Sequence, residues 1–375
     1  MTNENVKKLA GIFFFEVFVL NRVNMLRKKV FEEGKFDGYI VFDAVNLTYF
    51  TGLSGTSALL FQEDVDPVLF VYGVNYEMAK AEGKSLRVEK VKSGEKLMDR
   101  IANQAQAFGL KHLAFDTLDV ESWQALAKSL GDESKLKAEG SFVRELRKVK
   151  DDKEIELIRK AAELASIGMK VACETLVPGW KEKDVAAEIE YAMRKQGSDG
   201  TSFETSVASA ASSAYPHGGC SDRKIREGDL VVVDLGAKYK SYCSDITRTL
   251  VAGKISERQM KLFQIVQKAY EKAYDAIEPG AMGCEVDGAG RKIIEDAGYG
   301  EFFVHGLGHG VGLEIHEPPT LSMSSKDVLA AGNVVTDEPG IYLIGYGGIR
   351  VEDTILVTKT GAERLTEAPY TLSSS

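Results

Sequence analysis

Histidine is scarce in this chain and concentrated in one segment of its second half. Of five histidines, three lie in HGLGHGVGLEIHEPP at 305–319. Glycines at 306, 308, 310 and 312 keep the backbone slim, so another group can approach it closely. Three histidines among alternating glycines are more than packing requires, so we interpret this segment as functional. The candidates are His305, His309 and His316, with His217 upstream.

Carboxylates recur near these histidines. Asp234 ends the apolar run LVVVD and Asp245 follows in YCSDITRTL, inside the next predicted strand. The two would face one point if their strands pair as a hairpin through GAKYKSY. Glu338 precedes a Pro-Gly turn, and Glu352 lies in the strand-like run IRVEDTILV. Taken alone, each aspartate is more often a strand-end cap or a turn residue.

Together these side chains form an oxygen-rich set of potential metal ligands. A carboxylate in apolar surroundings needs a proton, a cation or a metal ion to offset its desolvation. Four carboxylates with one imidazole offer too many oxygens for a structural zinc site. We therefore expect two divalent metal ions, Mn or Co first, with Zn or Fe as alternatives.

The elements that must position these residues belong to a second domain, which we place at 144–375. A charge-rich stretch at 144–176 carries apolar residues at helical spacing after two aspartates that suit a helix start. Helices are predicted at 154–176, 183–196, 257–276 and 286–297, and strands at 230–236 and 333–344. All candidate functional residues lie in this domain.

The preceding region, 25–143, has the pattern of an α/β layer domain. Strand-like runs at 39–43, 58–62, 68–73 and 112–116 alternate with helical patterns at 74–82, 94–108 and 120–130. No cluster of potential ligands accompanies them. We expect this domain to be a scaffold without chemistry of its own.

The first 24 residues resemble a signal peptide only superficially. The apolar run at 9–20 is interrupted by Glu16, is too short to span a membrane, and is followed by NRVN instead of a small-residue cleavage site. Met25 then opens a stretch typical of the start of a folded domain. We interpret residues 1–24 as an upstream extension or a mispredicted start.

The composition is that of a soluble globular protein of two domains. The chain has 375 residues, 44% of them apolar and 27% charged. A net charge of −9 disfavours binding along a phosphate backbone. Four widely spaced cysteines without a CxxC pair predict reduced thiols and a cytoplasmic location. Neither nucleic acid nor a membrane is an expected partner.

The second domain resembles the pita-bread metallopeptidases, which include methionine aminopeptidase, Xaa-Pro aminopeptidase and prolidase. The resemblance covers roughly 144–359, and its motifs are VVVDLGAKYKSYCSDITRT, PHGG, HGLGHGVGLEIHE, EPGIY and GGIRVEDT. It implies an α+β pita-bread catalytic domain whose metal ligands are Asp234, Asp245, His309, Glu338 and Glu352. The α/β domain is similar to the N-terminal domain of creatinase, prolidase and Xaa-Pro aminopeptidase, which simple methionine aminopeptidases lack. Hydrolysis of the peptide bond before proline is therefore favoured.

The resemblance also implies roles around the metal ions. Glu338 would move a proton from the nucleophile to the leaving nitrogen. His217 and His316 would lie on opposite sides of the substrate and stabilise the tetrahedral oxyanion. His305 would shape the substrate pocket. The expected substrates are small peptides with proline at the second position, and the expected assembly is a homodimer.

Two arginines lie beside the ligand strands. Arg350, which we also count among the substrate-binding residues, and Arg248 are interpreted as partners that hold carboxylates in position. The alternative for either is a plain surface ion pair.

Some positions depart from the family pattern. Prolidases often carry an arginine directly after HE-x-P, suited to the free carboxylate of a dipeptide, but Thr320 follows HEPP here. This favours an aminopeptidase that accepts longer peptides, whereas the short N-terminal domain favours a compact prolidase, and both stay open. Asp337 replaces an apolar or small residue and could raise the pKa of Glu338 or point to solvent. Ser212 replaces a common asparagine.

Two other functions are compatible with the same fold. One is a metal-free, creatinase-like amidinohydrolase, against which the retention of all five ligands argues. The other is a non-catalytic binding module, which would be expected to have lost ligands or gained charged tails.

Overall fold

The computed structural model describes residues 21–34, 36–83 and 86–373. The chain divides into two compact units, Met1–Leu146 and Arg147–Ser375. Most of the expected extension at 1–24 lies outside the described residues, but 21–24 belong to a helical stretch. Within the described ranges, no helix is long and apolar enough to cross a membrane.

The first unit is built on a mixed sheet of six strands. In spatial order the strands are Arg87–Val91, Val68–Tyr72, Ala58–Gln62, Gly38–Val41, Leu113–Phe115 and Leu136–Ala138. The helices are Lys28–Glu33 (a π-helix), Ala44–Thr51, Tyr76–Glu82, Leu97–Ala107, Val120–Leu130 and Glu133–Lys135 (a 3-10 helix), and the division between the units falls inside Ser141–Lys148. Apolar side chains from the strands and from two helices form one core, with Ile40, Leu60, Phe70, Ile101 and Leu126 among them.

The second unit contains a larger sheet of eight strands. Its path runs through Glu317–Leu321, Gly308–Gly310, Val334–Asp337, Glu352–Val357, Ile246–Val251, Leu230–Leu235 and Ser206–Ser209, and Ala362–Arg364 pairs beside Glu352–Val357. Three short strands form a separate sheet: Tyr242–Cys243, Ala237–Tyr239 and Gly200–Thr201. Gly340–Leu343 and Gly347–Arg350 pair with each other.

Helices cover part of this sheet. They are Asp152–Thr175, Glu182–Lys195, Glu257–Asp275 and Gly283–Asp296, with the 3-10 turns Ala210–Ala214 and Gly300–Phe302. The longest begins at a capping box, in which the Asp151 side chain accepts the Glu154 N–H at 2.9 Å and the Glu154 side chain accepts the Asp151 N–H. Side chains at alternate strand positions, such as Val231, Val233 and Leu235, pack against apolar side chains of these helices.

This alternation directs the candidate ligands away from the helices. Successive side chains of a strand point to opposite faces. Val233 and Leu235 belong to an apolar cluster with the helices, so Asp234 between them faces the other side. Likewise, Ile355 packs in the second apolar cluster, and Glu352, three positions earlier, faces the opposite side.

Some predicted boundaries were wrong. Asp245 lies one residue before the strand Ile246–Val251, not inside it. Ser244 and Asp245 form a two-residue break between that strand and the short strand Tyr242–Cys243. The run 333–344 is not one strand but two, Val334–Asp337 and Gly340–Leu343, since Glu338 and Pro339 interrupt it and Pro has no N–H for the ladder.

Candidate metal centre

Asp234 and Asp245 are brought together by the pairing of neighbouring antiparallel strands. Asp234 is the next-to-last residue of its strand and lies opposite Thr247, two positions after Asp245. The hairpin interpretation therefore holds for the two long strands, although a small additional hairpin, Ala237–Tyr239 with Tyr242–Cys243, is inserted between them.

The other three predicted ligands reach the same point from adjacent strands. Thr247 also pairs with Glu352, which begins its strand. His309 Nε2 lies 3.3 Å from Glu338 Oε1 and 3.7 Å from Asp245 Oδ2. Potential ligand atoms of Asp245, His309 and Glu352 all lie within 4.8 Å of one another. The structure thus assembles all five residues at one place.

The hydrogen bonds of these residues leave ligand atoms available. Asp234 Oδ1, Asp245 Oδ1 and Glu352 Oε1 are buried and have no hydrogen-bond partner. A buried acceptor without a donor is costly. Divalent cations would satisfy these oxygens, so the residues fit a metal centre.

The tautomer of His309 fits the same role. Its Nδ1 faces the carbonyl oxygen of Gly310 at 3.1 Å, and because a carbonyl only accepts, Nδ1 carries the proton. Nε2 is then the nitrogen directed at the carboxylates. A backbone carbonyl that fixes the imidazole in this way is typical of metal-binding histidines.

Burial and mutual repulsion raise the pKa values of three of the carboxylates. Burial raises the pKa of Asp245 well above its usual range, and the charges of Glu352 and Asp234 raise it further. The pKa of Glu352 is likewise raised, by burial and then by the charges of Glu338 and Asp234. Burial also raises the pKa of Asp234, although Arg350 opposes it. A cluster of this kind favours bound cations.

Glu338 differs from the other carboxylates. Burial acts to raise its pKa, but the hydrogen bond and charge of His309, together with the charges of His305 and Arg350, outweigh burial and lower the pKa to about 2. The same contact raises the pKa of His309 against the effect of its own burial. Thr336 Oγ1 also donates to Glu338 Oε1 at 3.0 Å and accepts the His309 N–H at 3.1 Å.

Arg350 holds the far side of the centre. Its side chain is buried and donates to Asp234 Oδ2 at 2.6 Å, to Thr247 Oγ1 at 3.0 Å and to Tyr342 Oη at 2.8 Å. Thr247 in turn donates to Glu352 Oε2. Because these hydrogen bonds engage the guanidinium with the protein, the geometry favours Arg350 as a carboxylate-positioning residue over a direct substrate contact.

Arg248 positions the ligand strand from behind. It is 1% exposed, so the surface ion pair considered from the sequence is wrong. It donates to the backbone carbonyl of Glu352 at 2.6 Å and to Asp353 Oδ1 at 3.0 Å.

Asp337 lies opposite Asp353 and is fully buried, so it does not point to solvent. The pKa of Glu338 is lowered, not raised, beside it.

A cavity of about 320 Å³ opens beside the candidate ligands. Besides these five residues, its lining residues are Phe203, Pro216, His217, His305, Gly306, Gly308, Ile315, His316 and Arg350. The His316 ring meets the His309 ring edge-on, with centroids 4.3 Å apart. Burial lowers the pKa of both His305 and His316, so each is neutral at pH 7. The predicted histidines therefore share one cavity.

A hydrogen-bonded chain fixes His305. Its Nδ1 donates to the Gly306 carbonyl at 2.7 Å, which leaves Nε2 to accept from Tyr342 Oη at 2.9 Å. Tyr342 was missed in the sequence, since tyrosine in an apolar run gives no signal of a polar partner.

Two buried ion clusters brace the histidine segment, and sequence reasoning missed both. At its start, Asp287 pairs with Arg291 on the helix Gly283–Asp296; Asp287 accepts the Leu307 N–H at 2.9 Å, and Arg291 donates to the His305 carbonyl at 2.6 Å. At the end of the segment, the Glu317 carboxylate contacts the side chains of Arg147 and Lys150. The i, i+4 spacing of Asp287 and Arg291 was the available signal.

The structure accounts for Thr320 but not for Ser212, the other two departures from the family pattern. Thr320 donates through its N–H to Asp327 Oδ2 at 2.9 Å and through its hydroxyl to the same carboxylate at 3.2 Å, and Asp327 pairs with Lys148 at 2.7 Å. Neither Thr320 nor Lys148 lines the cavity. Nothing in the structure explains Ser212.

Comparison with known proteins identifies the family. Residues 156–359 match the metallopeptidase family M24, and residues 22–149 match the creatinase/prolidase N-terminal domain. The Xaa-Pro dipeptidase of Pyrococcus furiosus is 40% identical over 90% of this chain and 96% of its own. The Xaa-Pro dipeptidase structure from Bacillus anthracis has 35% identity and a TM-score of 0.90, covering 95% of this chain and 99% of its own.

An aminopeptidase of the same fold is also similar. The X-Pro aminopeptidase of Thermotoga maritima has 34% identity and a TM-score of 0.83, covering 90% of this chain and 97% of its own. These matches confirm the expected fold class, an α/β N-terminal domain followed by an α+β pita-bread catalytic domain. The chain therefore belongs to metallopeptidase family M24 and carries a creatinase/prolidase N-terminal domain.

Proposed function

We propose that this chain is a metal-dependent Xaa-Pro dipeptidase, which hydrolyses the peptide bond before a C-terminal proline. The observation that carries the proposal is the convergence of four carboxylates and His309, with buried oxygens left unsatisfied, on a cavity lined by three further histidines. The Xaa-Pro dipeptidases among its relatives support this specificity.

Membership of a metallopeptidase family implies that the chain binds divalent metal ions. We assign two of them, Mn or Co first and Zn or Fe as alternatives, to Asp234, Asp245, His309, Glu338 and Glu352. Bound there, the metals supply a water of lowered pKa and polarise the scissile carbonyl. Arg350 and Thr247 keep Asp234 and Glu352 in place for this role.

Glu338 is the proposed proton carrier. Its carboxylate lies beside His309 in the cavity and would accept a proton from the nucleophilic water. The hydroxyl of Thr336 and the imidazole of His309 fix its orientation. The proton then goes to the nitrogen of the leaving proline, which needs it to depart as an amine.

His217, His305 and His316 are the proposed substrate contacts. A neutral imidazole can donate one N–H to the oxygen of the tetrahedral intermediate, and the lowered pKa of His316 keeps it neutral. His305 is already bound to Tyr342 and shapes the wall. Phe203, Pro216 and Ile315 add apolar surface that suits a proline ring.

The second candidate is an Xaa-Pro aminopeptidase. It is favoured by Thr320, which places no positive charge after HEPP to bind a substrate carboxylate. For aminopeptidase activity, the cavity would have to accept a peptide that continues beyond proline. The creatinase-like and binding-module alternatives are disfavoured by the complete ligand set.

Assembly and location stay predictions. The homodimer, expected from the resemblance, is tested by the mass of the particle in solution. The cytoplasmic location is expected from the four widely spaced cysteines, which include no CxxC pair. Small peptides remain the expected partners, with nucleic acid and membranes not expected.

The test is hydrolysis of Ala-Pro, Ala-Pro-Ala and Met-Ala-Ala by Mn-reconstituted protein. Cleavage of Ala-Pro alone supports the dipeptidase, and cleavage of Ala-Pro-Ala supports the aminopeptidase. Cleavage of Met-Ala-Ala without either proline peptide would contradict the proposed specificity. Failure to cleave any of them would contradict the peptidase.

A further inference from the structure

His217 lies on a loop that needs support from outside itself. The loop runs from Ser209 to Ser221 and contains the short turn Ala210–Ala214. His217 is exposed, yet it lines the cavity together with the neighbouring proline. An exposed loop residue contributes to catalysis only if its position is restrained.

Both ends of this loop are bound by one carboxylate, that of Glu182. Glu182 Oε1 accepts the Ser209 N–H at 2.8 Å and also the Ser209 hydroxyl. Glu182 Oε2 accepts the Ser221 N–H at 2.9 Å and the Ser221 hydroxyl at 2.6 Å. Each oxygen therefore holds one end of the loop, and the carboxylate closes it.

Glu182 is itself firmly placed. It is 1% exposed and is the first residue of the helix Glu182–Lys195, where the helix dipole favours a negative charge. Its backbone N–H donates to the Arg223 carbonyl at 3.1 Å, just beyond the loop. Arg223 also donates to the Ser209 hydroxyl. The carboxylate thus joins a fixed helix end to both ends of the loop.

We propose that Glu182 is a positioning residue for His217: by closing the loop between Ser209 and Ser221, it holds the imidazole at the substrate. This rests on the proposed function, in which His217 contacts the substrate. Other contacts hold single points of the loop: Gly348 N–H donates to Ser213 Oγ at 2.9 Å, Arg350 donates to the Pro216 carbonyl at 3.4 Å, and Val207 N–H donates to Cys220 Sγ at 3.1 Å. Glu182 differs from them in that its one carboxylate binds both ends.

Glu182→Gln isolates the acceptor role without changing the shape. An amide offers one oxygen and one NH₂ group, so a backbone N–H at one end of the loop faces a donor. The serine hydroxyl can rotate to accept instead, but the backbone N–H cannot. A displacement of His217 of even about 1 Å is expected to lower kcat by about 10- to 100-fold.

The experiment is a double-mutant cycle with His217→Ala on the Mn-loaded full-length protein, with Ala-Pro as substrate. Glu182→Gln should lower kcat in the parent but cause less than about a twofold further loss in the His217→Ala background. Equal losses in both backgrounds would mean that Glu182 acts through general stability, and no loss in the parent would mean that the loop needs no closure; either overturns the proposal.

Controls separate positioning from folding. Glu154→Gln changes another buried carboxylate, which accepts hydrogen bonds from the Asp151 N–H and the Tyr242 hydroxyl, and should leave kcat within about twofold. Bound Mn should be unchanged in Glu182→Gln. If that variant does not fold, Ser221→Ala takes its place in the cycle, with a smaller loss that must again vanish without His217. Full activity of His217→Ala itself would instead contradict the role of His217 in the proposed function.

Discussion

The carboxylate of Glu317 illustrates how a single residue can support the site without touching substrate. It is 7% exposed and contacts Lys150 Nζ at 2.8 Å and the Arg147 guanidinium. Burial alone would raise its pKa, but Lys150 and Arg147 outweigh burial and lower it. Glu317 directly follows His316, so this ion cluster fixes the end of the histidine segment.

Glu317→Gln is expected to destabilise the catalytic unit in a pH-dependent way. The folded pKa of Glu317 lies below its ordinary 4.5, so its ionised form stabilises the fold above that pH, and the stabilisation is lost as the pH falls towards the folded pKa. Removing the charge between these two buried cations, of which Arg147 keeps its ion pair with Glu314, costs up to about 3–5 kcal/mol. The difference between the melting temperatures of the two metal-free proteins should be largest at pH 7 and should begin to shrink as the pH falls below about 4.5. A difference that is constant with pH would contradict the assigned charges.

The residue scale also shows what sequence could predict of the site. The five candidate ligands, which include His309, and three further histidines could be singled out because their types and motif order are restricted by the chemistry of metal binding. The structure places them around one cavity, and their roles stay predictions. The arginines beside them, Arg350 and Arg248, were also predicted as carboxylate partners. The buried ion pair of Glu317 with Lys150 was not, since the two are far apart in sequence and either could have been a surface charge. Glu182 gave no signal for the same reason. Only the packed structure shows which charges are buried.

At the scale of elements, close approach of two strands sets the position of the candidate ligands His309 and Glu338. A Cβ added to Gly308 would overlap the Thr336 carbonyl and lie 2.8 Å from its hydroxyl oxygen. That hydroxyl contacts both His309 and Glu338. Glycine at 308 therefore allows the histidine strand to lie against the strand that ends before Glu338.

Gly308→Ala is expected to displace these strands. Overpacking of this kind costs about 1–3 kcal/mol and should weaken Mn binding through Thr336. The matched control is Gly288→Ala, at an exposed helix position with no atom within 4 Å of the new Cβ, which should be neutral or stabilising by up to about 1 kcal/mol. Thermal melting and Mn titration of both variants provide the check. Equal behaviour of the two would refute the role given to Gly308.

Element prediction succeeded where local signals were complete. The helix Val120–Leu130 was bounded correctly because Asp119 caps its start and Gly131 ends it in the left-handed conformation. The strands Arg87–Val91 and Leu136–Ala138 were missed, since RVEKV and LKA are mostly charged or too short to show an apolar run. Edge strands of this composition are formed by pairing with neighbours, which a local pattern does not record.

At the scale of the whole molecule, the beginning of the first unit bears on the proposed extension. Val23 is 2% exposed, and Arg22 lies over the Tyr49 ring at 4.2 Å and donates to the Tyr49 carbonyl at 2.8 Å. Residues 21–24 thus pack within the first unit. A domain that started at Met25 would therefore lack the contacts of Arg22 and Val23.

A chain that begins at Met25 should therefore melt at a lower temperature than one that begins at residue 21 after an added methionine. Burial of a valine side chain alone contributes about 1.5–3 kcal/mol. Calorimetry of the two shortened chains measures the difference. Identical melting of the first unit would instead support the boundary expected from the sequence.

The central claim concerns the whole molecule as a metal-dependent enzyme, and titration of the metal-free protein with Mn²⁺ during Ala-Pro hydrolysis tests it most directly. We predict no hydrolysis without metal, a rise in rate that saturates near two equivalents, and no rise for Asp245→Asn, which removes a charge from a ligand. Hydrolysis by the metal-free protein, or an Asp245→Asn variant as active as the parent, would contradict it.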